Sequence, residues 1–259
     1  MNHMRVRPLV AGLAALASLT LVAGCSGSDS DSDSGKGGKQ HGSQQRQPEP
    51  TSTKAEAKAK GDATAVLGEA RLKAALVTEA EAKDKGYTAV DNDAKAARPT
   101  AGRPECRALA DATASGVERT PAAKAWTSRS YGSTTSAGLA VTTVLMSYEG
   151  VGAARTVADL RTAIGACGSG FKTRGNSDGS TLTYVSVRSG KAPEGGDEAL
   201  AWTMTGEAQG QRVPLNWTAV REGDTVALFL TIHRTDPAGA KLPQDLLDAQ
   251  LAKLSAAGK

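Results

Sequence analysis

Few residues beyond position 60 could carry out catalysis. His233 is the only histidine in that part of the chain, and Asp236 lies three residues after it. A histidine near an acid could activate a serine nucleophile. We assign no serine to a Gly-x-Ser-x-Gly elbow or a Ser-x-x-Lys pair in a context that would mark a nucleophile. A histidine at a strand end is more often structural, so we predict a protein that is not an enzyme and has no catalytic residue.

Carboxylates are the second group that could do chemistry. Glycosidases use two of them, and the fold sets the distance between the pair. Four acids adjoin predicted strands: Glu149, Glu198, Glu207 and Asp224. We interpret each as a solvated or turn residue. Gly168-Ser169-Gly170 ends a predicted helix and lacks the Gly-Lys-Ser/Thr of a phosphate-binding loop.

Aromatic residues on the predicted strands are the better indication of function. A concave site with aromatic walls is a usual place for a small ligand. Core packing is the commoner role of such side chains and stays the alternative. The ligand-binding candidates are Trp126, Tyr131, Tyr184, Trp202 and Trp217.

The N-terminus has the three parts of a secretory signal. Arg5 and Arg7 precede an apolar run at 9–21, which is too short to span a bilayer. The segment Leu21-Val22-Ala23-Gly24-Cys25 then resembles a bacterial lipobox. The resemblance implies that signal peptidase cleaves between Gly24 and Cys25 and that Cys25 carries acyl chains, such as palmitate, that anchor the protein to a membrane. An ordinary signal peptide that contains a cysteine is the alternative.

Two cysteines remain once Cys25 is assigned to lipid. Cys106 and Cys167 are an even pair in an exported, oxidising environment, so we expect one disulfide between them. Closing this loop stabilises the fold by roughly 4 kcal/mol in the chain-entropy model. Two buried free thiols are the alternative. A zinc site would lack ligands, so we predict no metal and no cofactor.

Composition limits the partners and divides the chain. Without residues 1–24, Lys+Arg falls from 31 to 29 against 27 Asp+Glu, which gives no strongly basic face for nucleic acid. Residues 25–60 are polar and lack aromatic side chains, so we predict a disordered linker. All nine aromatic residues lie at or after Tyr87, and we place one folded domain at 61–259. The abundance of Ala and Gly and the scarcity of Phe and Ile are typical of actinobacteria.

Periodicity predicts helices and strands in that domain. The predicted helices are 65–76, 104–114, 151–167 and 243–254. The predicted strands are 126–131, 138–149, 181–187, 198–206, 212–221 and 225–233. Helices grouped around an antiparallel sheet give an α+β fold.

This order of elements resembles the PknH-like extracellular sensor domain family over residues 72–254. The resemblance is carried by residues 76–87 before Cys106, by Tyr148-Glu149 before the 151–167 helix, and by the strand within 223–232. It implies a twisted antiparallel sheet with helices packed mainly on one face and a ligand-binding cleft. The family typically has two disulfides, whereas this chain can make one, and no kinase segment is present here.

Together these features predict a lipid-anchored protein on the outer face of the cytoplasmic membrane. Its domain would bind a small or envelope-derived ligand without catalysis. The alternatives are a lipid carrier in the envelope and, less favoured, a hydrolase of envelope polymers. The sequence does not identify a protein partner.

Overall fold

The computed structural model describes residues 66–92, 97–114, 119–176, 179–208 and 210–259. The predicted signal peptide, Cys25 and the predicted linker lie outside these residues and stay predictions. Within the described part of the chain, no helix is long and apolar enough to cross a bilayer.

One antiparallel sheet organises the described residues. The strands are β1 Tyr87–Asp91, β2 Thr100–Ala101, β3 Ala125–Ser133, β4 Leu139–Ser147, β5 Phe171–Arg174, β6 Leu182–Ser189, β7 Glu198–Ala208, β8 Gln211–Glu222 and β9 Thr225–His233. Their order in the sheet is β1-β3-β4-β9-β8-β7-β6-β5-β2. The long hairpin strands β3 and β4, and then β7, β8 and β9, follow the predicted ranges to within a few residues.

The helices flank this sheet, which confirms the predicted α+β class. The helices are α1 Glu69–Ala75, α2 Glu79–Asp84, α3 Arg107–Ala112, α4 Gly152–Ala166 and α5 Gln244–Ala257. Short 3-10 turns precede α3 and α5 at Pro104–Cys106 and Pro237–Gly239. Proline suits the first turn of a helix, where its missing N–H has no intrahelical acceptor.

Alternating side chains of the strands give the sheet two apolar faces. On one face, which we call the α4 face, Met204, Ala219 and Leu228 pack with α3 and α4. On the other, the α5 face, Val141, Val220 and Phe229 pack with α1, α2 and α5. The helices are thus divided between both faces, whereas the expectation from the sequence placed them mainly on one. Central strands such as β8 and β9 alternate between two sets of apolar residues, so each face needs a cover.

The predicted disulfide between Cys106 and Cys167 is present and joins α3 to the end of α4, with Cα atoms 5.9 Å apart. Arg103 reinforces the same junction. Its guanidinium donates to the main-chain oxygens of Ala166 at 3.2 Å and Gly170 at 3.1 Å. These bonds satisfy carbonyl groups at the end of α4 that have no intrahelical partner. The two helices of the α4 face are therefore fixed to each other.

Candidate functional site

The three tryptophans project from the same face of the sheet. Trp202 on β7 and Trp217 on β8 are directly paired, and their rings stack at 6.1 Å between centroids with an interplanar angle of 7°. Trp202 is 1% exposed and Trp217 is 6% exposed, and both belong to the core of the α4 face. Trp126 on β3 packs against that core but stays partly exposed. The tryptophans of this one face therefore range from fully buried, at Trp202, to partly exposed, at Trp126.

A groove of about 390 Å³ lies where this aromatic row reaches the surface. Trp126 and Trp217 form part of its lining, and Val144 and Leu230 add apolar area between them. Residues 112–114, at the end of α3, form the bordering wall. We call this the tryptophan groove. Its volume lies within the range of small-ligand pockets in proteins, about 300–1,000 Å³.

The floor of the tryptophan groove carries uncharged hydrogen-bonding groups. Ser130 Oγ lies 2.8 Å from Thr142 Oγ1 on the neighbouring strand. Asn92 Nδ2 donates to Ser130 Oγ at 3.0 Å. Ser128 lies two residues before Ser130 on β3 and therefore on the same face of the sheet. Hydroxyl and amide groups can both donate and accept. The groove therefore offers an aromatic wall beside a floor that can bind hydroxyl or carbonyl groups.

The ring of Trp217, which forms part of the lining, also has an unsatisfied hydrogen-bond donor. Its Nε1 is buried and has no hydrogen-bond partner among the described residues. A buried donor without an acceptor costs about 1–3 kcal/mol. Trp202 Nε1 is also without a partner, but Trp202 does not line the groove.

Among the residues that the structure describes, Asp91 is the only ionisable one that lines the groove, and it forms an ion pair. Arg129 Nη2 lies 2.6 Å from Asp91 Oδ1. The hydrogen bond from Arg129 lowers the pKa of the Asp91 carboxyl. The carboxylate is therefore balanced by a cation of the neighbouring strand, which leaves a groove suited to an uncharged ligand.

The two tyrosines among the sequence-predicted candidates are not in the groove. Tyr131 lies on the α5 face, where its hydroxyl donates to Val77 O at 2.9 Å, and burial raises its pKa. Tyr184 lies on the α4 face and packs against Phe171, with ring centroids 5.0 Å apart. Burial also raises the pKa of Tyr184. The structure thus brings Trp126 and Trp217 together at a groove and places Trp202, Tyr131 and Tyr184 in the core.

His233 has a serine partner that the sequence did not reveal. Its Nε2 lies 3.1 Å from Ser136 Oγ, and its Nδ1 accepts a hydrogen bond from Asp236 N at 3.0 Å. In a neutral imidazole, an accepting Nδ1 puts the proton on Nε2. Nε2 then donates to Ser136 and cannot take its proton, which is the reverse of what a general base needs. This pair fits a structural link between β9 and the β3–β4 turn.

Both serine motifs do occur in the sequence as plain letter patterns. Gly175–Gly179 reads Gly-Asn-Ser-Asp-Gly, and Ser169–Lys172 reads Ser-Gly-Phe-Lys. The first joins the antiparallel strands β5 and β6, whereas a nucleophile elbow joins a strand to a helix. Ser169 follows the end of α4 and its Oγ accepts from Arg103, while Lys172 lies on β5. Neither pattern stands in its catalytic context.

The strand-adjacent acids mostly form ion pairs. Glu149 pairs with Lys124 at 3.0 Å, and Glu207 lies 3.6 Å from Arg212. Glu198 pairs with Arg221 at 3.0 Å and with Arg161 at 3.1 Å. Asp224 occupies the β8–β9 turn, where its main-chain oxygen accepts from Tyr148 N. Glu198 and Glu207 lie at opposite ends of β7, so they do not form a carboxylate pair. The described residues contain no group of three or more potential metal ligands.

Comparisons with known proteins give one structural likeness to report. No protein-family model matches the chain, and no curated protein is similar to it. Its structure is similar to the extracellular domain of PknH from Mycobacterium tuberculosis, with a TM-score of 0.46 and 10% sequence identity. The match covers 75% of this chain and 98% of that domain. This solved domain belongs to the family that the sequence resembles.

Proposed function

We propose that this protein is a lipid-anchored, extracytoplasmic binding protein without catalytic activity, and that the tryptophan groove holds its ligand. The ligand is a small, uncharged, sugar-like or apolar molecule of the cell envelope. The observation that carries the proposal is the partly exposed Trp126 beside a hydroxyl floor, with the ring of Trp217 in the lining of the same groove.

The chemistry of the groove supports a ligand that has both an apolar face and oxygen acceptors. An aromatic ring offers a large contact area at a small cost in rotamer entropy. Ser128, Ser130 and Thr142 can exchange hydrogen bonds with hydroxyl groups, as in sugars. The hydroxyl floor favours such a ligand over an acyl chain, which could not exchange hydrogen bonds with those groups. It therefore favours a binding module over the alternative of a lipid carrier.

The alternative of an envelope-polymer hydrolase is less well supported. General acid–base chemistry needs a group that can exchange a proton near the substrate. Asp91 is held by Arg129, and the other strand-adjacent acids lie outside the groove lining. The neutral tautomer of His233 cannot deprotonate Ser136. The described residues thus favour binding over hydrolysis.

Export and anchoring are supported by the sequence and by the disulfide. Stable disulfides are typical of proteins outside the cytoplasm, and Cys106 is bonded to Cys167. The lipobox-like segment at Leu21–Cys25 supports anchoring through Cys25. A Cys25→Ala variant is expected to lose acylation and to leave the detergent phase. Equal detergent partitioning of variant and wild type, with the same mature N-terminus, would contradict the anchor.

The binding proposal is tested by purification from the source membrane in mild detergent, followed by mass spectrometry of co-purifying small molecules. Wild type is expected to carry a molecule that Trp126→Ala lacks. Thr127→Ala is the matched control, because its side chain leaves β3 on the opposite face. Wild type without any bound small molecule, or equal loading of all three proteins, would overturn the proposal.

A further inference from the structure

A second and larger cavity, of about 670 Å³, lies across the sheet from the tryptophan groove. Its floor consists of the side chains of β7 and β8 that alternate with the tryptophans, among them Thr203, Asn216 and Thr218. These side chains lie on the α5 face, because Trp202 and Trp217 occupy the α4 face. Leu242 and Leu247 supply apolar walls. We call this the lysine cavity, after Lys191 and Lys241 in its lining.

The chain after β6 forms one side of the lysine cavity and is held in place by close contacts. Gly190 N donates to Ala201 O at 2.7 Å. Gly195 and Gly196 have φ values of 121° and 65°, which other residues rarely adopt. A Cβ at Gly195 would lie 2.7 Å from Leu251 of α5, and one at Gly196 would lie 2.5 Å from the main-chain oxygen of Arg221. This side of the cavity is therefore formed before any ligand arrives.

The polar groups of the lysine cavity include several donors. Thr203 Oγ1 donates to Asn216 Oδ1 at 2.7 Å, so the Asn216 amide nitrogen keeps its two N–H groups for another partner. Lys191 and Lys241 are exposed residues of the cavity lining, and neither forms an ion pair with any described residue. Among the described residues, Glu194 is the only acid in the lining. A cavity rich in donors and cations is complementary to an anion.

We propose that the lysine cavity binds a small organic carboxylate with an apolar body. The carboxylate accepts hydrogen bonds from Lys191, Lys241 and the Asn216 amide, and the apolar body packs against Leu242 and Leu247. Charge-assisted hydrogen bonds are stronger than neutral ones and give the site its preference for the acid. The site opens on the opposite face of the sheet from the tryptophan groove, and Trp217 belongs to the lining of both.

The test uses phenylacetate and hexanoate as probes, each beside its neutral amide, with the complete domain and two-dimensional NMR. Both carboxylates are expected to bind about tenfold more tightly than their amides, in line with the strength of charge-assisted bonds. Amide signals of residues 190–194 and 240–244 are expected to shift. Lys191→Met with Lys241→Met should weaken carboxylate binding about tenfold. Lys172→Met on β5, which lies outside the cavity lining, should leave it unchanged.

Four results would overturn the proposal. Two concern affinity: equal affinity for carboxylate and amide, and unchanged affinity in the double-lysine variant. The third is that neither carboxylate binds saturably, and the fourth is that the shifts fall at Trp126 and Ser130 instead. Preserved chemical-shift dispersion in each variant establishes that a loss of binding is not a loss of folding.

Discussion

The α4 face of the sheet has a covered half and an open half, and its tryptophans lie on both sides of the boundary. In the covered half, α4 packs over β6 to β9, and Trp202 is sealed at 1% exposure. In the open half, no helix among the described residues seals Trp126, which is partly exposed, and the tryptophan groove forms. Tryptophan therefore packs in the core at position 202 and lines a groove at position 126.

The change in neighbouring residue types marks this boundary. In the covered half, the positions that point to the α4 face are apolar, such as Met204, Ala219 and Leu228. In the open half, the equivalent positions of β3 and β4 include Ser128, Ser130 and Thr142. A helix over these hydroxyl groups would remove the hydrogen bonds that they can still exchange with water or a ligand, which costs free energy. The strands themselves thus specify where the helical cover stops and where a polar ligand can approach.

The largest expected effect tests the covered half. Trp202→Ala should lower the free energy of unfolding by about 3–5 kcal/mol, because it removes a fully buried ring and leaves a cavity. Urea denaturation measures this loss. A loss below about 1 kcal/mol would show that the covered half is not the packed core that the burial of Trp202 indicates.

The next prediction concerns the junction that holds α3 beside the open half. Replacing Cys106 and Cys167 together by alanine should cost roughly 4 kcal/mol, because the unfolded chain regains the entropy of a 61-residue loop. Thermal unfolding of the variant and of oxidised wild type gives the comparison. Recovery of both cysteines as free thiols from the native protein would contradict the account.

A smaller effect is expected in the open half. Trp126→Ala should cost only about 1 kcal/mol, because the ring is partly exposed and leaves no closed cavity. Urea denaturation beside Trp202→Ala measures the contrast between the two halves. If both variants lose 3–5 kcal/mol, Trp126 belongs to the core and the distinction between the halves fails.

The smallest effect lies on the α5 face and should leave the groove untouched. Hydrogen bonds from Thr78 lower the pKa of Glu81 to about 2, with a further contribution from Lys253. Because the folded-state pKa lies below the ordinary value of 4.5, this stabilisation is present above pH 4.5 and is lost as the pH falls toward 2. The Glu81 side chain is 46% exposed, so solvent screening keeps the effect below about 1 kcal/mol.

Urea titrations at pH 6 and pH 2.5 test this pH dependence. Glu81→Gln should lose less stability between these two values than wild type does. Glu79→Gln, in the same helix, serves as the control and should behave like wild type. An identical loss in Glu81→Gln and wild type would remove Glu81 as a source of acid sensitivity.

Much of the fold could be predicted from residue patterns. The strand β9 was predicted at its observed bounds, and α4 to within one residue, because alternating and helical periodicity are strong over such lengths. The short elements α2, β1, β2 and β5 were missed. Thr78-x-x-Glu81 is a capping-box pattern that could have located α2, and the capping box is present. Four alternating residues, as in β5, are too few to stand out.

The candidate site could be predicted only in part. The tryptophans were singled out by type and strand position, and their shared face follows from strand register. The hydroxyl floor was missed, because Ser130 and Thr142 acquire their role only where β3 pairs with β4 beyond the helical cover. Strand order and helix placement are long-range properties that local periodicity does not encode. For the same reason, the contact between Ser136 and His233 could not be foreseen.

The most direct test of the central claim compares the indole N–H signals of the three tryptophans. NMR spectra of protein labelled with ¹⁵N at the indole nitrogen are recorded with its naturally bound molecules. They are recorded again after unfolding, removal of bound molecules and refolding. Trp→Phe variants assign the three signals. The account predicts that the signals of Trp126 and Trp217 move between the two samples, because both rings line the groove, while the sealed Trp202 signal stays in place. Movement of the Trp202 signal alone, or three unchanged signals, would contradict the assignment of the tryptophan groove as the ligand site.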